Sequence, residues 1–253
     1  MSVVGWYYKG HMEKGENIWN RVGAAIRRRA TAAAYDFRMP DSILRRRFSR
    51  LLTRYYNGDE GQNTDDRTGF LGYGLIHYAM VTNIKPVRML CIGSRKGFVP
   101  AILALAARDN GLGHVDFVDA SYRPDRNRGK SWGGIGFWNR ISPEKHFGKI
   151  GVAEYISLFC MTSKEFSRQK PRQKYQYIYI DGDHSYEGVL SDYTLFWPLL
   201  AKGGYMVFHD VSARGTLEGG TFGVRRIWKE LSKRHAVTLP LPEQSGLGIL
   251  QKT

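Results

Sequence analysis

The chain has 253 residues, of which 42% are apolar, and a formal net charge of +15. This length and composition allow a sizeable core, and the longest apolar run is too short to cross a bilayer. Because residues 1–15 lack the apolar stretch of a signal peptide, we expect a soluble, cytoplasmic protein. The positive charge predicts attraction to anionic partners such as nucleic acid, acidic glycans or membrane surfaces, without choosing among them.

Two arginine-rich segments open the chain. Apolar residues recur with helical period over 16–35 and more clearly over 41–56. The stretch 57–69 is polar, acidic and glycine-bearing, which indicates a linker or a lid. We therefore predict a basic helical appendage over residues 1–70. Because its apolar faces must be buried somewhere, we expect it to close over the functional site or to join a partner chain, such as a second copy. Its arginines form either a solvated surface or a contact with an anionic partner.

From residue 71 onward, predicted strands alternate with predicted helices. Alternation of this length indicates a parallel sheet with right-handed crossovers. The last two strands are short and adjacent in the chain, which indicates an antiparallel hairpin at one edge. The fold class is therefore α/β, a doubly wound and mainly parallel seven-stranded sheet over residues 71–253. The predicted strands are 87–92, 114–120, 155–161, 175–181, 205–209, 236–240 and 246–251.

The two cysteines, Cys91 and Cys160, fall in predicted strands that a third strand separates. Their separation of about 9–10 Å exceeds the reach of a disulfide. We expect two buried free thiols, as in a reducing compartment.

Polar residues follow these strands at the edge where ligands bind in such sheets. Gly93 to Gly97 form a turn before a helix, and Asp119 follows 26 residues after Gly93, near the spacing of an acid that holds ribose hydroxyls. Asp181 and His184 follow an apolar strand that ends abruptly, and His209-Asp210 follows the next one. A carboxylate here can hold a cation or a cofactor amine, and an imidazole can take a proton near neutral pH.

Structural interpretations of the same residues stay open. Glycines at strand-to-helix turns commonly serve the backbone alone. Asp183 and Ser185 are well placed to cap the following helix, and His184 could join them there. His209 could be a satisfied core histidine.

The order of these motifs resembles a class I S-adenosylmethionine-dependent methyltransferase over roughly residues 70–250. The stretch IDGDHSYEGVLSDYTLFWPLLAKGGYMVFHDV, followed by GVRRIWKEL and GLGIL, is similar to the subfamily of macrolide-sugar O-methyltransferases and cephalosporin-hydroxylase-type proteins. The resemblance implies that residues 71–253 are a Rossmann-like domain that binds S-adenosylmethionine. It also implies a sugar or other hydroxylated acceptor and, in several members, a divalent cation.

The resemblance assigns roles residue by residue. Gly93, Ser94 and Gly97 match the cofactor turn, and Asp119 matches the ribose acid. The pair Thr162-Ser163 matches the polar motif beside the adenine. Asp181 matches a metal-holding acid, His184 the general base, and His209-Asp210 the second pair of metal ligands.

Two positions depart from this pattern. Cys91 stands where an acid is usual, and His209 stands where a carboxylate is usual. A set of one histidine and two aspartates favours softer metals than magnesium.

Three functions follow as hypotheses. The first is a metal-assisted O-methyltransferase acting on a sugar, a glycan or another hydroxylated small molecule. The second is an RNA methyltransferase, which the net charge suggests although the chain shows no familiar RNA-binding motif. The third is a non-catalytic protein of the same fold that binds cofactor or serves as an interaction module, which Cys91 and His209 keep open.

Overall fold

The computed structural model describes residues 46–56, 60–121, 136–169, 173–217, 220–233, 236–239 and 245–253. The predicted helix 16–35 and the first residues of the predicted helix 41–56 lie outside these ranges. None of the helices in the described part of the chain is long and apolar enough to cross a membrane.

Seven α-helices occur in the described ranges. They are α1 Arg46–Tyr56, α2 Tyr73–Ile84, α3 Phe98–Asn110, α4 Pro143–Gly148, α5 Ser163–Gln169, α6 Tyr186–Phe196 and α7 Val224–Leu231. The strands are β1 Arg88–Ile92, β2 His114–Val118, β3 Ile156–Phe159, β4 Tyr175–Ile180, β5 Leu200–His209, β6 Thr216–Leu217, β7 Gly220–Thr221, β8 Ala236–Leu239 and β9 Leu247–Gln251.

The main sheet has seven strands in the order β3-β2-β1-β4-β5-β9-β8. Strands β1 to β5 pair in parallel, whereas β9 runs antiparallel to β5 and β8 antiparallel to β9. The predicted seven-stranded, mainly parallel sheet with an antiparallel edge hairpin is therefore confirmed. The short strands β6 and β7 form a separate two-stranded ribbon.

Alternate residues of the central strands face two apolar layers, as the period of two requires. In β1, Met89 and Cys91 pack into the layer that contains α2 and α3, whereas Leu90 and Ile92 pack into the layer that contains α6 and α7. Coverage on both faces explains why the central strands read as continuous apolar runs.

Helix α3 is buried from Phe98 to Ala107, with no polar face along that length. Leu52 and Tyr56 of α1 belong to the same buried cluster as α3, and the Tyr56 hydroxyl donates to the backbone carbonyl of His146 at 2.6 Å. Residues 46–56 therefore contribute to the core of the sheet domain, although they belong to the predicted appendage. The boundary at residue 70 stays a prediction.

Two expectations about the sheet need correction. Cys160 is exposed, because it follows β3 instead of lying within it, so only Cys91 is a buried thiol. Strand β5 begins at Leu200, five residues before the predicted start. The Gly203 amide donates to the Lys252 carbonyl, and the Lys252 amide donates to the Gly204 carbonyl, so this part of β5 pairs with the chain just beyond β9.

Candidate active site

The turn after β1 lies in backbone contact with the loop after β4. Gly93 has a φ of 72°, and a Cβ at this position would lie 2.1 Å from the carbonyl oxygen of Asp181. The Gly93 amide donates to the Val118 carbonyl, and the Asp181 amide donates to the Ile92 carbonyl, each at 2.8 Å. Glycine is therefore required here, and the carboxyl ends of three strands are held together around it.

The same turn leads into α3. Gly97 precedes the helix with a φ of 87°, and the Ser94 hydroxyl accepts a hydrogen bond from the Val99 amide at 3.2 Å. A Cβ on Gly97 would lie 2.8 Å from the ring of Phe147. The backbone can thus turn closely beneath a ligand, next to the amino end of a thirteen-residue helix, where negative charge is favoured.

Asp119 follows β2, beside this turn. One carboxylate oxygen accepts from the Ser121 amide at 2.8 Å, and the other accepts from the Ser94 amide at 3.4 Å. The side chain is buried, and burial raises the pKa of Asp119 to about 6 although these amides partly oppose the effect. The structure thus brings Asp119 to the glycine turn, and its role as a ribose-binding acid stays a prediction.

Thr162 and Ser163 lie one strand further out, at the start of α5. The Thr162 amide and hydroxyl both donate to Glu165, and the Glu165 amide donates back to the Thr162 hydroxyl, which is a capping box. Ser163 hydrogen-bonds the buried carboxyl of Asp192, and burial raises the pKa of Asp192 to about 7. These contacts give the pair a structural role, and its place beside an adenine stays a prediction.

Four side chains from the ends of β4 and β5 form a compact cluster. Oδ1 of Asp181 lies 3.2 Å from both His184 Nε2 and His209 Nδ1. Asp210 lies 3.3 Å from His184 Nδ1 through Oδ2 and 3.2 Å from His209 Nδ1 through Oδ1. Each carboxylate therefore contacts both imidazoles. We call these four residues the Asp–His cluster.

The sheet explains why the cluster forms. Strands β4 and β5 are parallel neighbours in which Ile180 pairs with Phe208, so the residues that follow them leave the same edge side by side. Asp210 has a φ of 61°, a left-handed conformation that is uncommon outside glycine and that aspartate tolerates better than most residues. This backbone conformation accompanies the approach of its carboxylate to both imidazoles.

The two aspartates shift the pKa of both histidines in the cluster. Burial alone would lower the pKa of both histidines, but the two aspartates outweigh it, so the pKa of His184 is raised and that of His209 is raised well above its usual range. Burial would raise the pKa of Asp181, but the charge of His209 and the hydrogen bond from His184 hold it well below its usual range. The aspartates thus favour the protonated form of each imidazole that they face.

The donor set of the cluster fits a divalent cation. Asp181, His184 and Asp210 each offer one ligand atom, and these atoms lie within 4.8 Å of one another. His209 faces both carboxylates through Nδ1, while its Nε2 lies 3.1 Å from the carbonyl oxygen of Gly61. The set that converges thus contains His184 and not the predicted His209, whose role as a ligand stays a prediction.

Three further polar residues line this region. The Tyr179 hydroxyl donates to Asp181 Oδ2 at 2.9 Å, and Gln62 Nε2 donates to that hydroxyl at 2.9 Å. Asp192 is the partner of Ser163. Sequence reasoning missed all three, because Tyr179 reads as one more residue of a buried strand and Gln62 lies in a stretch that reads as linker. Only Asp192 gave a signal in the sequence, because an aspartate at a buried position of a helix is unusual.

Comparisons with known proteins bear on the family and the fold. Residues 90–211 match the family model described as a methyltransferase domain, and the matched range contains the glycine turn, Asp119 and the Asp–His cluster. The matched range is just under half of the chain, and the fold is the Rossmann-like fold of methyltransferases.

Solved structures show the same fold at low sequence identity. The O-methyltransferase TomG of Streptomyces achromogenes, involved in tomaymycin synthesis and solved with S-adenosylmethionine, aligns with a TM-score of 0.55 and 13% identity over 88% of this chain and 95% of its own. An O-methyltransferase of Bacillus cereus, solved with S-adenosylhomocysteine, aligns with a TM-score of 0.52 and 12% identity over 90% of this chain and 97% of its own.

Two curated relatives are much longer than the matched regions. An uncharacterized protein of Sinorhizobium fredii is 24% identical over 189 residues, which cover 74% of this chain and 19% of that protein. An uncharacterized protein of Acanthamoeba polyphaga mimivirus is 48% identical over 33 residues, which cover 13% of this chain and 15% of that protein. The chain thus matches about a fifth or less of the length of these relatives.

Proposed function

We propose that this domain transfers the methyl group of S-adenosylmethionine to a hydroxyl oxygen of a small acceptor, a sugar or a glycan unit. The observation that carries the proposal is the backbone contact between the cofactor turn and the Asp–His cluster at Gly93 and Asp181. A methyl donor held at that turn lies next to groups that can bind and deprotonate a hydroxyl. Methyl transfer needs the methyl donor and these groups at one place.

The residues suit a displacement at carbon. Bound S-adenosylmethionine supplies a methyl group on an electrophilic sulfonium. An alcohol is a weak nucleophile until its proton is removed, and a positioned base contributes about 10²–10⁴-fold to such a step. His184 has the most exposed side chain of the cluster, 17% against 1–8% for the other members, so it is the one an acceptor reaches.

To act as the base, His184 must present one ring nitrogen to the acceptor. Asp181 holds Nε2 and is itself held by Tyr179, whereas the 3.3 Å approach of Nδ1 to Asp210 joins the ring to the other strand. Opening the contact with Asp210 frees Nδ1 for the acceptor proton. Asp181 then keeps the ring oriented and stabilises the imidazolium that forms.

A divalent cation would be held by Asp181 and Asp210 with one of the two histidines, and it would add Lewis acidity toward the acceptor oxygen. A histidine that binds the cation through the nitrogen facing the acceptor cannot also take the acceptor proton. The base and ligand roles of His184 are therefore alternatives that experiment separates.

The chemistry of the neighbours supports oxygen as the acceptor atom. Both structural neighbours described above are O-methyltransferases. The resemblance of residues 180–211 to macrolide-sugar O-methyltransferases supports a sugar acceptor.

The test is formation of S-adenosylhomocysteine by the full chain with a panel of nucleotide sugars, glycosides, catechols and a tRNA. We expect turnover with a hydroxylated small molecule. His184→Ala should lower turnover at least about 100-fold and Asp181→Asn comparably, with unchanged affinity for S-adenosylhomocysteine. His114→Ala, which removes a hydrogen bond of 2.8 Å to Ser157 at the opposite edge of the sheet, is the matched control. Turnover of tRNA alone, or full activity of His184→Ala, contradicts the proposal.

The role of a cation is tested separately. If chelation abolishes turnover and His184→Ala loses metal affinity, then His184 is a ligand. If chelation has no effect and His184→Ala recovers partly at high pH, where the acceptor needs less help, then His184 is the base. Measurement of metal affinity in His209→Ala decides whether the predicted His209 is a ligand.

A further inference from the structure

A short segment before α2 lies against the Asp–His cluster at the carboxyl ends of the strands. Glu60–Gln62 form a single turn of 3₁₀ helix, and Gln62 is 2% exposed. We call Gly61 and Gln62 the strap. Two of its contacts are made to β4 and β5, more than 100 residues further along the chain.

The strap accepts a hydrogen bond from the cluster through Gly61 and donates one toward it through Gln62 and Tyr179. The Gly61 carbonyl accepts from His209 Nε2 at 3.1 Å and also from the Ser245 hydroxyl. The Gln62 amide nitrogen donates to the Tyr179 hydroxyl at 2.9 Å, and that hydroxyl lies 2.9 Å from Asp181 Oδ2. A carbonyl thus faces an imidazole N–H, and an amide N–H faces a hydroxyl that leads to a carboxylate.

The numbers of donors set the direction of the hydrogen bonds that link Gln62, Tyr179 and Asp181. The nitrogen of a glutamine amide can only donate, and a phenol has one proton. Because Gln62 Nε2 fills an acceptor position on the Tyr179 oxygen, the single proton of Tyr179 is directed to Asp181. The opposite orientation of the amide would make Gln62 accept that proton and would turn a lone pair of Tyr179 toward the carboxylate.

The orientation of the Gln62 amide is unfavourable for its own oxygen. Gln62 Oε1 is buried without a hydrogen-bond partner among the described residues. An unpaired buried acceptor is unfavourable, so an amide held this way must gain through its nitrogen. That gain is the hydrogen bond donated to the Tyr179 hydroxyl, which in turn donates to Asp181 Oδ2. The other oxygen of Asp181 faces His184 and His209.

We infer that Gln62 is a positioning residue for methyl transfer, acting through Tyr179 on Asp181 and hence on the orientation of His184. The inference rests on the proposed function for its catalytic consequence. It assigns to the segment that reads as a linker a direct share in building the active site. Gln62 itself reaches the reacting groups only through Tyr179.

Four variants test it: Gln62→Met, which keeps the length and removes the donor; Gln62→Glu, which reverses the polarity; Tyr179→Phe; and the pair Gln62→Met with Tyr179→Phe. We expect Gln62→Met to lower kcat about tenfold, with unchanged affinity for S-adenosylhomocysteine, and Gln62→Glu to lower it at least as far. In the Tyr179→Phe background, Gln62→Met should change kcat less than about twofold, since residues that act through one another are not additive.

Matched controls exist at the opposite end of β4. Gln176 accepts a hydrogen bond from the Arg88 amide at 2.9 Å, so Gln176→Met removes a glutamine contact far from the site. The Tyr175 hydroxyl donates to the buried Asp116 at 2.8 Å, so Tyr175→Phe removes a comparable bond between a tyrosine and a carboxylate. Neither control should change kcat.

A spectroscopic measurement judges the inference without an acceptor. In nitrogen-detected NMR of the full chain, Gln62→Met should shift the ring signals of His184 and His209, and Gln176→Met should leave them in place. Unshifted ring signals, or additive losses in the double variant, overturn the positioning role. Shifted signals in a protein that methylates no acceptor refute the transferase proposal and support the positioning role.

Discussion

The binding of the cofactor should depend on pH through Asp119. This carboxyl is buried beside the glycine turn, and burial raises its pKa to about 6. Ribose hydroxyls donate hydrogen bonds, so they favour the ionised carboxylate, which accepts on both oxygens. Affinity for S-adenosylhomocysteine should therefore be full above this pKa and should fall as the pH drops through it.

The size of the effect follows from the fraction ionised. With a pKa of about 6, roughly one molecule in ten carries the ionised carboxyl at pH 5, so affinity should fall about tenfold between pH 7.5 and pH 5. Asp119→Asn keeps the shape but cannot ionise. It should bind more weakly at pH 7.5, by about 1–3 kcal/mol, and should show no such dependence on pH.

Isothermal titration calorimetry of S-adenosylhomocysteine at several pH values measures both quantities. The variant isolates Asp119 from the histidines of the Asp–His cluster, which titrate in both proteins. A flat affinity in the wild type, or an equal loss at pH 5 in Asp119→Asn, would refute the assignment of Asp119 to the ribose.

Three further predictions concern stability. Asp192 has a pKa of about 7 when folded, so its contribution to the free energy of unfolding is complete below its unfolded pKa near 4 and is lost as the pH rises through 7. Relative to the wild type, Asp192→Asn should therefore gain up to about 4 kcal/mol in free energy of unfolding between pH 4 and pH 8. A constant difference between the two proteins in denaturant titrations would contradict this. Leu52→Ala, at 0% exposure, should cost about 2–5 kcal/mol, whereas its neighbour Leu51→Ala, at 38%, should cost under about 1 kcal/mol; equal midpoints in urea would show that α1 adds nothing to the core. Gly93→Ala should cost at least about 3 kcal/mol, because its Cβ would meet the Asp181 carbonyl. Gly111 also has a left-handed backbone, but a Cβ there would have nothing within 4 Å, so Gly111→Ala should cost about 1 kcal/mol. Similar melting temperatures of the two variants would contradict the crowding at Gly93.

Much of the fold could be predicted because the central strands are buried on both faces. Burial of this kind forces a local signal, a run of apolar residues that ends abruptly in polar ones, as at Ile180 and Asp181. The same signal located Asp119, His184 and His209 at one edge of the sheet. Parallel pairing then required those residues to lie near one another, which the Asp–His cluster confirms for Asp181, His184, His209 and Asp210.

Other features carried no local signal. Whether Cys160 is buried depended on where β3 ends, and whether α1 joined the core depended on which surface its apolar face met. Tyr179 reads as an ordinary strand residue, because a strand pattern does not reveal which buried hydroxyl meets a carboxylate.

The sequence by itself thus determined the alternation of strands and helices, the edge at which the site lies and the chemical types that occupy it. Only the tertiary structure decided how those groups are connected. The contact of Gln62 with Tyr179 joins residues 117 positions apart, and the two contacts of His209 with carboxylates raise its pKa. The physical reason is that burial and periodicity act within a few residues, whereas a hydrogen bond depends on the positions of two atoms that the chain brings together from any distance.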